Sequence, residues 1–129
     1  MSGKTGRLAV AAVAMGLILP ATVPARAGEA DVVAAEARES ADGTWRFTVT
    51  VRHADEGWDH YADRWDVLAP DGTVLGVREL LHPHETEQPF TRSLGGVAIP
   101  DDLQRVTVRA RDSVHGYGGA TVEIVLPGR

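Results

Sequence analysis

The chain contains no cysteine. That absence excludes a disulfide scaffold, a zinc ribbon, a thiol nucleophile and a lipid anchor carried on Cys. Sulfur is scarce throughout, because the two methionines, Met1 and Met15, both lie near the amino terminus. Lys4, also there, is the only lysine. Aromatic residues make up only 5% of the chain, while 43% is hydrophobic and 24% charged, an ordinary globular balance. At 129 residues there is room for one domain at most. The formal net charge of −5 has the wrong sign for a nucleic-acid binder, which normally carries a basic face.

Residues 1–27 read as a secretory signal peptide. Lys4 and Arg7 form a basic start, Leu8 to Leu19 is an uncharged apolar run, and Pro20 and Pro24 follow. Ala25-Arg26-Ala27 then supplies the small residues that a signal peptidase accepts. The apolar run is shorter than the about 20 residues of a membrane span, so no span is expected after cleavage. Removal takes Lys4, Arg7 and Arg26 and leaves ten basic residues against eighteen acids, a net of −8. The mature chain, 28–129, then has no Cys, Met or Lys. It offers no sulfur to a soft metal and no lysine base.

Beyond residue 28 the repeating pattern is alternation. Trp45, Phe47, Val49 and Val51 share one face, with Arg46, Thr48, Thr50 and Arg52 on the other. Val106, Val108 and Ala110, and then Val122, Ile124 and Leu126, repeat the pattern. Period two with β-branched and aromatic residues predicts half-buried strands. Turn signals at Asp42-Gly43, Pro70-Asp71-Gly72, Gly95-Gly96, Pro100-Asp101 and Gly118-Gly119 separate them. Seven strands are expected, at 31–38, 44–53, 62–69, 73–81, 89–95, 103–112 and 119–126. This predicts an all-β, seven-stranded antiparallel sandwich. The segment VTVRARDSV (106–114) resembles the sixth strand of fibronectin type III and immunoglobulin-like domains, and the strand spacing is similar too. Gln104 stands where fibronectin modules carry a corner tyrosine, so the resemblance implies an immunoglobulin-like fold and carries no functional residue.

Strand parity sends the histidines to one pole. The connections 53–61, 82–88 and 113–118 share that pole and hold His53, His60, His82, His84 and His115. In His82-Pro83-His84 the proline favours an extended backbone, which points residues i and i+2 to one side. Two imidazoles so placed could chelate an ion, with His60 or His115 completing the set. Without sulfur, zinc, divalent copper or nickel are the candidates. His53, at a strand end, is expected to contribute least. The alternative role for these histidines is hydrogen bonding to loop backbone. Trp58, Asp59, Tyr61, Glu85, Glu87 and Tyr117 belong to the same loops and are candidate binding residues. Asp63 is expected to face the core beside Trp65 and Val67 and so to need an arginine such as Arg64, Arg92 or Arg111.

Nothing points to an enzyme. Asp112, Ser113 and His115 are too close in the chain for a triad, and no G-x-S-x-G elbow or H-E-x-x-H helix occurs. The expected function is that of a small periplasmic or secreted binding module for a protein or small ligand, with histidine-based binding of zinc or copper as the alternative and a small hydrolase third. Exported protein should begin at or near Gly28, which an intact mass would establish. Exported material that retains residues 1–27 would overturn the signal-peptide reading.

Overall fold

A computed structural model describes residues 28–129 together with Leu17–Leu19. The strands are β1 (Leu17–Leu19), β2 (Asp31–Glu39), β3 (Trp45–Arg52), β4 (Ala62–Leu68), β5 (Val74–Glu79), β6 (Phe90–Val97), β7 (Arg105–Asp112), β8 (Gly116–Tyr117) and β9 (Val122–Val125). They form two antiparallel sheets packed face to face. One has the order β2-β3-β6, and the other β1-β9-β7-β4-β5, with β8 added to the end of β7. The expected signal peptide lies outside the described residues except for β1, which pairs with β9. All seven strands expected from the alternation are present, with ends shifted by at most three residues.

The core follows the alternating rows. Trp45, Phe47, Val49 and Val51 of β3 face Trp65 and Val67 of β4, Val106 and Val108 of β7, and Val122 and Ile124 of β9, and all are buried. Tight turns close the far pole. In two of them a carboxylate, Asp42 or Asp71, accepts the backbone N–H two residues on, and a glycine follows with positive φ.

Strict alternation fails in β4. The register with β7 slips between Ala62 and Arg64, so the inward row runs Ala62, Trp65, Val67 and leaves out Asp63. The expectation that Asp63 shares the core face of Trp65 is corrected by this bulge, which shifts the side chain sideways. Asp63 does find one of the expected arginines, with Arg111 Nη1 donating at 2.5 Å, but the pair is partly exposed. The fully buried acid of β4 is Asp66, on the outer face. Its carboxylate accepts from Tyr117 Oη at 2.7 Å and from Arg109 Nε at 3.0 Å, and Arg64 lies against it.

Phe47 and Trp65 have no exposure to solvent. Truncation of either to alanine should cost about 3–5 kcal/mol, a large part of the stability of a domain this small. Urea unfolding of Phe47→Ala checks this, and a loss under about 1 kcal/mol would mean that the core is drawn wrongly.

Candidate metal centre

Asp112 ends β7 with its side chain wholly buried. Its Oδ1 accepts the backbone N–H groups of Val114 at 2.8 Å and His115 at 2.5 Å, which folds the chain sharply back after the strand. Its Oδ2 is left to face the pole. Three imidazole nitrogens meet it there: His115 Nδ1 at 2.9 Å, His53 Nε2 at 3.1 Å and His60 Nε2 at 3.3 Å.

Each of these histidines arrives from a different constraint. His53 follows the last residue of β3, and its backbone N–H donates to Gln88 Oε1 in the β5–β6 connection. His60 is folded under by a turn in which Glu56 N donates to His60 O and His60 N to Gly57 O. The two loops are laced together, Ser113 N donating to Tyr61 O and Tyr61 N to Ser113 Oγ. A third segment enters from the amino-terminal side. Asp31 Oδ1 accepts from Ala120 N, and Val32 N donates to Ala120 O. Gly119 permits that approach, since a side chain there would collide with the Ala30 carbonyl. The carbonyl oxygen of Gly28 is thereby held 3.0 Å from both His53 Nε2 and His60 Nε2.

The outer ring nitrogens are also spoken for. His53 Nδ1 contacts Asp55 Oδ1 at 2.5 Å, and His60 Nδ1 contacts Glu56 Oε1 at 2.7 Å. A carboxylate only accepts, so each Nδ1 carries the proton. A neutral ring then presents a lone pair at Nε2. Two such lone pairs, the Gly28 carbonyl and Asp112 Oδ2 converge with no donor among them. Only a positive charge satisfies that arrangement, either an added proton on each ring or a metal cation. The ligand atoms of His53, His60 and Asp112 lie within 4.8 Å of one another, close enough to hold a metal ion. The contacts of 3.0–3.3 Å from the two Nε2 atoms to the oxygens match the ligand-to-ligand edge of about 3.3 Å that 2.0–2.1 Å bonds give in a tetrahedral site. Carboxylates behind the rings, here Asp55 and Glu56, are the usual means of orienting metal-bound histidine.

The charges agree with this picture. Hydrogen bonding to Glu56 raises the His60 imidazole above its ordinary 6.5, with burial opposing. Burial alone would push the Asp112 carboxyl up. The hydrogen bonds from the backbone and ring of His115 and from Val114 N outweigh it and hold the group down to about 2.

Of the residues singled out in the sequence, His60 and His115 reach this point, His115 through Asp112 and with a partly exposed ring. His53, expected to matter least, stands at the centre. His82 and His84 do stand side by side, with ring centroids 4.6 Å apart, but they lie on the far side of Asp55. His84 stacks on Phe90 at 4.0 Å, and its Nε2 accepts from Arg92 Nη2 at 2.9 Å. Burial, aided by the Arg92 charge, lowers its affinity for a proton. Its lone pair is therefore engaged, while His82 is exposed and donates to the Pro83 carbonyl. Glu87 pairs with Arg92. Trp58 is exposed with its ring edge against Tyr61, and Asp59 and Glu85 face solvent. Tyr117 turns away to Asp66, under Arg109 at 3.7 Å. Asp55, Asp112 and the Gly28 carbonyl were missed. Their sequence signal is slight: an acid two residues after His53, and an acid three before His115.

No protein-family model matches the chain, and no solved structure matches it. It is similar to a protein of Halomicrobium mukohataei named "Putative lipoprotein", with 43% identity over 96 residues, which cover 74% of this chain and 47% of that one. The chain thus spans about half the length of the curated relative it matches.

Asp112 is ionised in the folded state down to about pH 2, against an ordinary value of 3.8. Its contribution to stability is therefore present above about pH 4 and lost as pH falls through 2, roughly 2 kcal/mol in all. Asp112→Asn should lower stability at neutral pH and flatten its fall between pH 4 and 2. Chemical denaturation of metal-free protein across that window is the measurement, and an unchanged slope would count against the buried carboxylate.

Proposed function

We propose that this chain is an exported, small β-sandwich protein that binds a divalent transition metal, zinc or copper, through His53, His60 and Asp112. The observation that carries the reading is the convergence of acceptors: two Nε2 atoms with their Nδ1 protons already committed, one buried carboxylate oxygen and one carbonyl. Nitrogen and oxygen ligands without sulfur suit zinc or divalent copper. His115 rests on Asp112 from the solvent side and can enter the shell or cover it.

Export to the cell envelope is supported by the layout of residues 1–27 and by the name of the relative. The proposed location is periplasmic or secreted. The order β2-β3-β6 against β9-β7-β4-β5 supports an immunoglobulin-like ancestry. The reading is one of binding and assigns no reaction. A second reading, a module that recognises a protein or small ligand, draws on the exposed Trp58, Leu81 and Val114 in the same three loops.

Titration calorimetry of chelator-treated protein with zinc and with copper at pH 7.5 should give one site. His53→Ala and Asp112→Ala should abolish it, and His82→Ala should leave it intact. Affinity should fall at pH 5.5, because an imidazole must be neutral to ligate, and the raised His60 begins to compete for protons above 6.5. If neither metal binds more tightly than about 100 μM, or about −5.5 kcal/mol, the cluster is a protonated brace and the binding-module reading stands in its place.

A further inference from the structure

Gly28 is unusual among the groups at the site because it contributes backbone. Its carbonyl oxygen touches the Nε2 atoms of both His53 and His60. Its φ is +89°, and a Cβ at this position would lie 2.8 Å from Cε1 of His115. The main chain of residue 28 is thus pressed against the imidazoles with no room for a side chain, and only glycine takes up that conformation without strain. Gly28 is also the residue that follows Ala25-Arg26-Ala27. Within any residue the nitrogen lies about 2.7–3.6 Å from its own carbonyl oxygen, by covalent geometry alone. Whatever the nitrogen of Gly28 becomes, it stays within that reach of an oxygen already at the metal-binding point.

We propose that the amino group of Gly28, released by signal peptidase, is itself a metal ligand, so that processing completes the site. The step is hydrolysis of the Ala27–Gly28 bond. The C–N bond breaks, the hydroxyl of water goes to the Ala27 carbonyl carbon, and its proton goes to the Gly28 nitrogen. An amide nitrogen, whose lone pair is delocalised and which coordinates poorly, becomes an amine with a free pair. Amine and carbonyl of one residue then close a five-membered ring on the ion, beside His53, His60 and Asp112. The inference rests on the metal site proposed above. It adds that the unprocessed chain binds metal more weakly than the exported one, which would keep metal from loading before export.

The absence of lysine from the mature chain makes the test direct, because the Gly28 amine is then its only primary amine. The chain 28–129 retains every core residue among those described, which run from Ala30 to Leu126. This chain is treated with an acetyl N-hydroxysuccinimide ester, with and without one equivalent of zinc, and single acetylation is followed by mass spectrometry. Zinc should slow acetylation at least about fivefold, and the acetylated chain, or one retaining Ala27, should bind zinc at least about fivefold more weakly in calorimetry. In His53→Ala the rates with and without zinc should become equal. If the Gly28 chain binds zinc and either effect is smaller, the amine is not a ligand and the histidine–aspartate site stands without it. If the Gly28 chain does not bind zinc at all, the site itself falls, and this inference with it.

Discussion

A carboxylate shut away from water at the end of a strand must be matched on both oxygens, and the histidine pole is built around that demand. Asp112 Oδ1 is satisfied by two backbone N–H groups of its own turn, which bends the chain after β7. Its Oδ2 faces the His115 ring of the same turn and, from the β3–β4 connection, the Nε2 atoms of His53 and His60. Two connections distant in sequence, β3–β4 and β7–β8, are drawn to one oxygen. Loss of all these contacts would leave a buried charge uncompensated, which is far more costly than a lost surface contact.

Asp55 repeats the arrangement one layer out. Its Oδ1 holds the Nδ1–H of His53 and accepts from Ala62 N, and its Oδ2 accepts from His84 N. The His82-Pro83-His84 segment therefore braces the residue that orients a ring at the centre, instead of joining the convergent atoms. Stacking on Phe90 and the hydrogen bond from Arg92 fix His84 in that role. The pole has an inner set of atoms that converge and an outer set that aims them, and both sets contain histidine.

Acids are distributed in the same way elsewhere. Asp66 is buried on the outer face of its sheet, capped by Tyr117 and flanked by Arg64 and Arg109. Burial, together with the hydrogen bond to Asp66, makes the Tyr117 hydroxyl harder to ionise than usual. This second polar knot ties β8 back onto the sheet, and so holds the far side of the loop that carries His115. The loop is anchored at Asp112 on one side and at Asp66 on the other.

The strands and the core were legible in the sequence, because period-two alternation and the turn glycines are local properties of the chain. The pole was legible as well, since strand parity sends alternate connections to the same end. What the sequence could not show was which histidines meet. His82-Pro83-His84 carries the stronger local pattern, yet Arg92 from β6 occupies the lone pair of His84. His53 looks like a strand end, yet Asp55 behind it and Asp112 before it make it central. The slip at Ala62–Arg64 displaced Asp63 and left Asp66 as the buried acid of β4. The Gly28 carbonyl has no side-chain signature at all. Residue type and strand order come from local patterning in the chain. The partner of each ring depends on loop closure between segments up to 59 residues apart, and only the tertiary structure decides that.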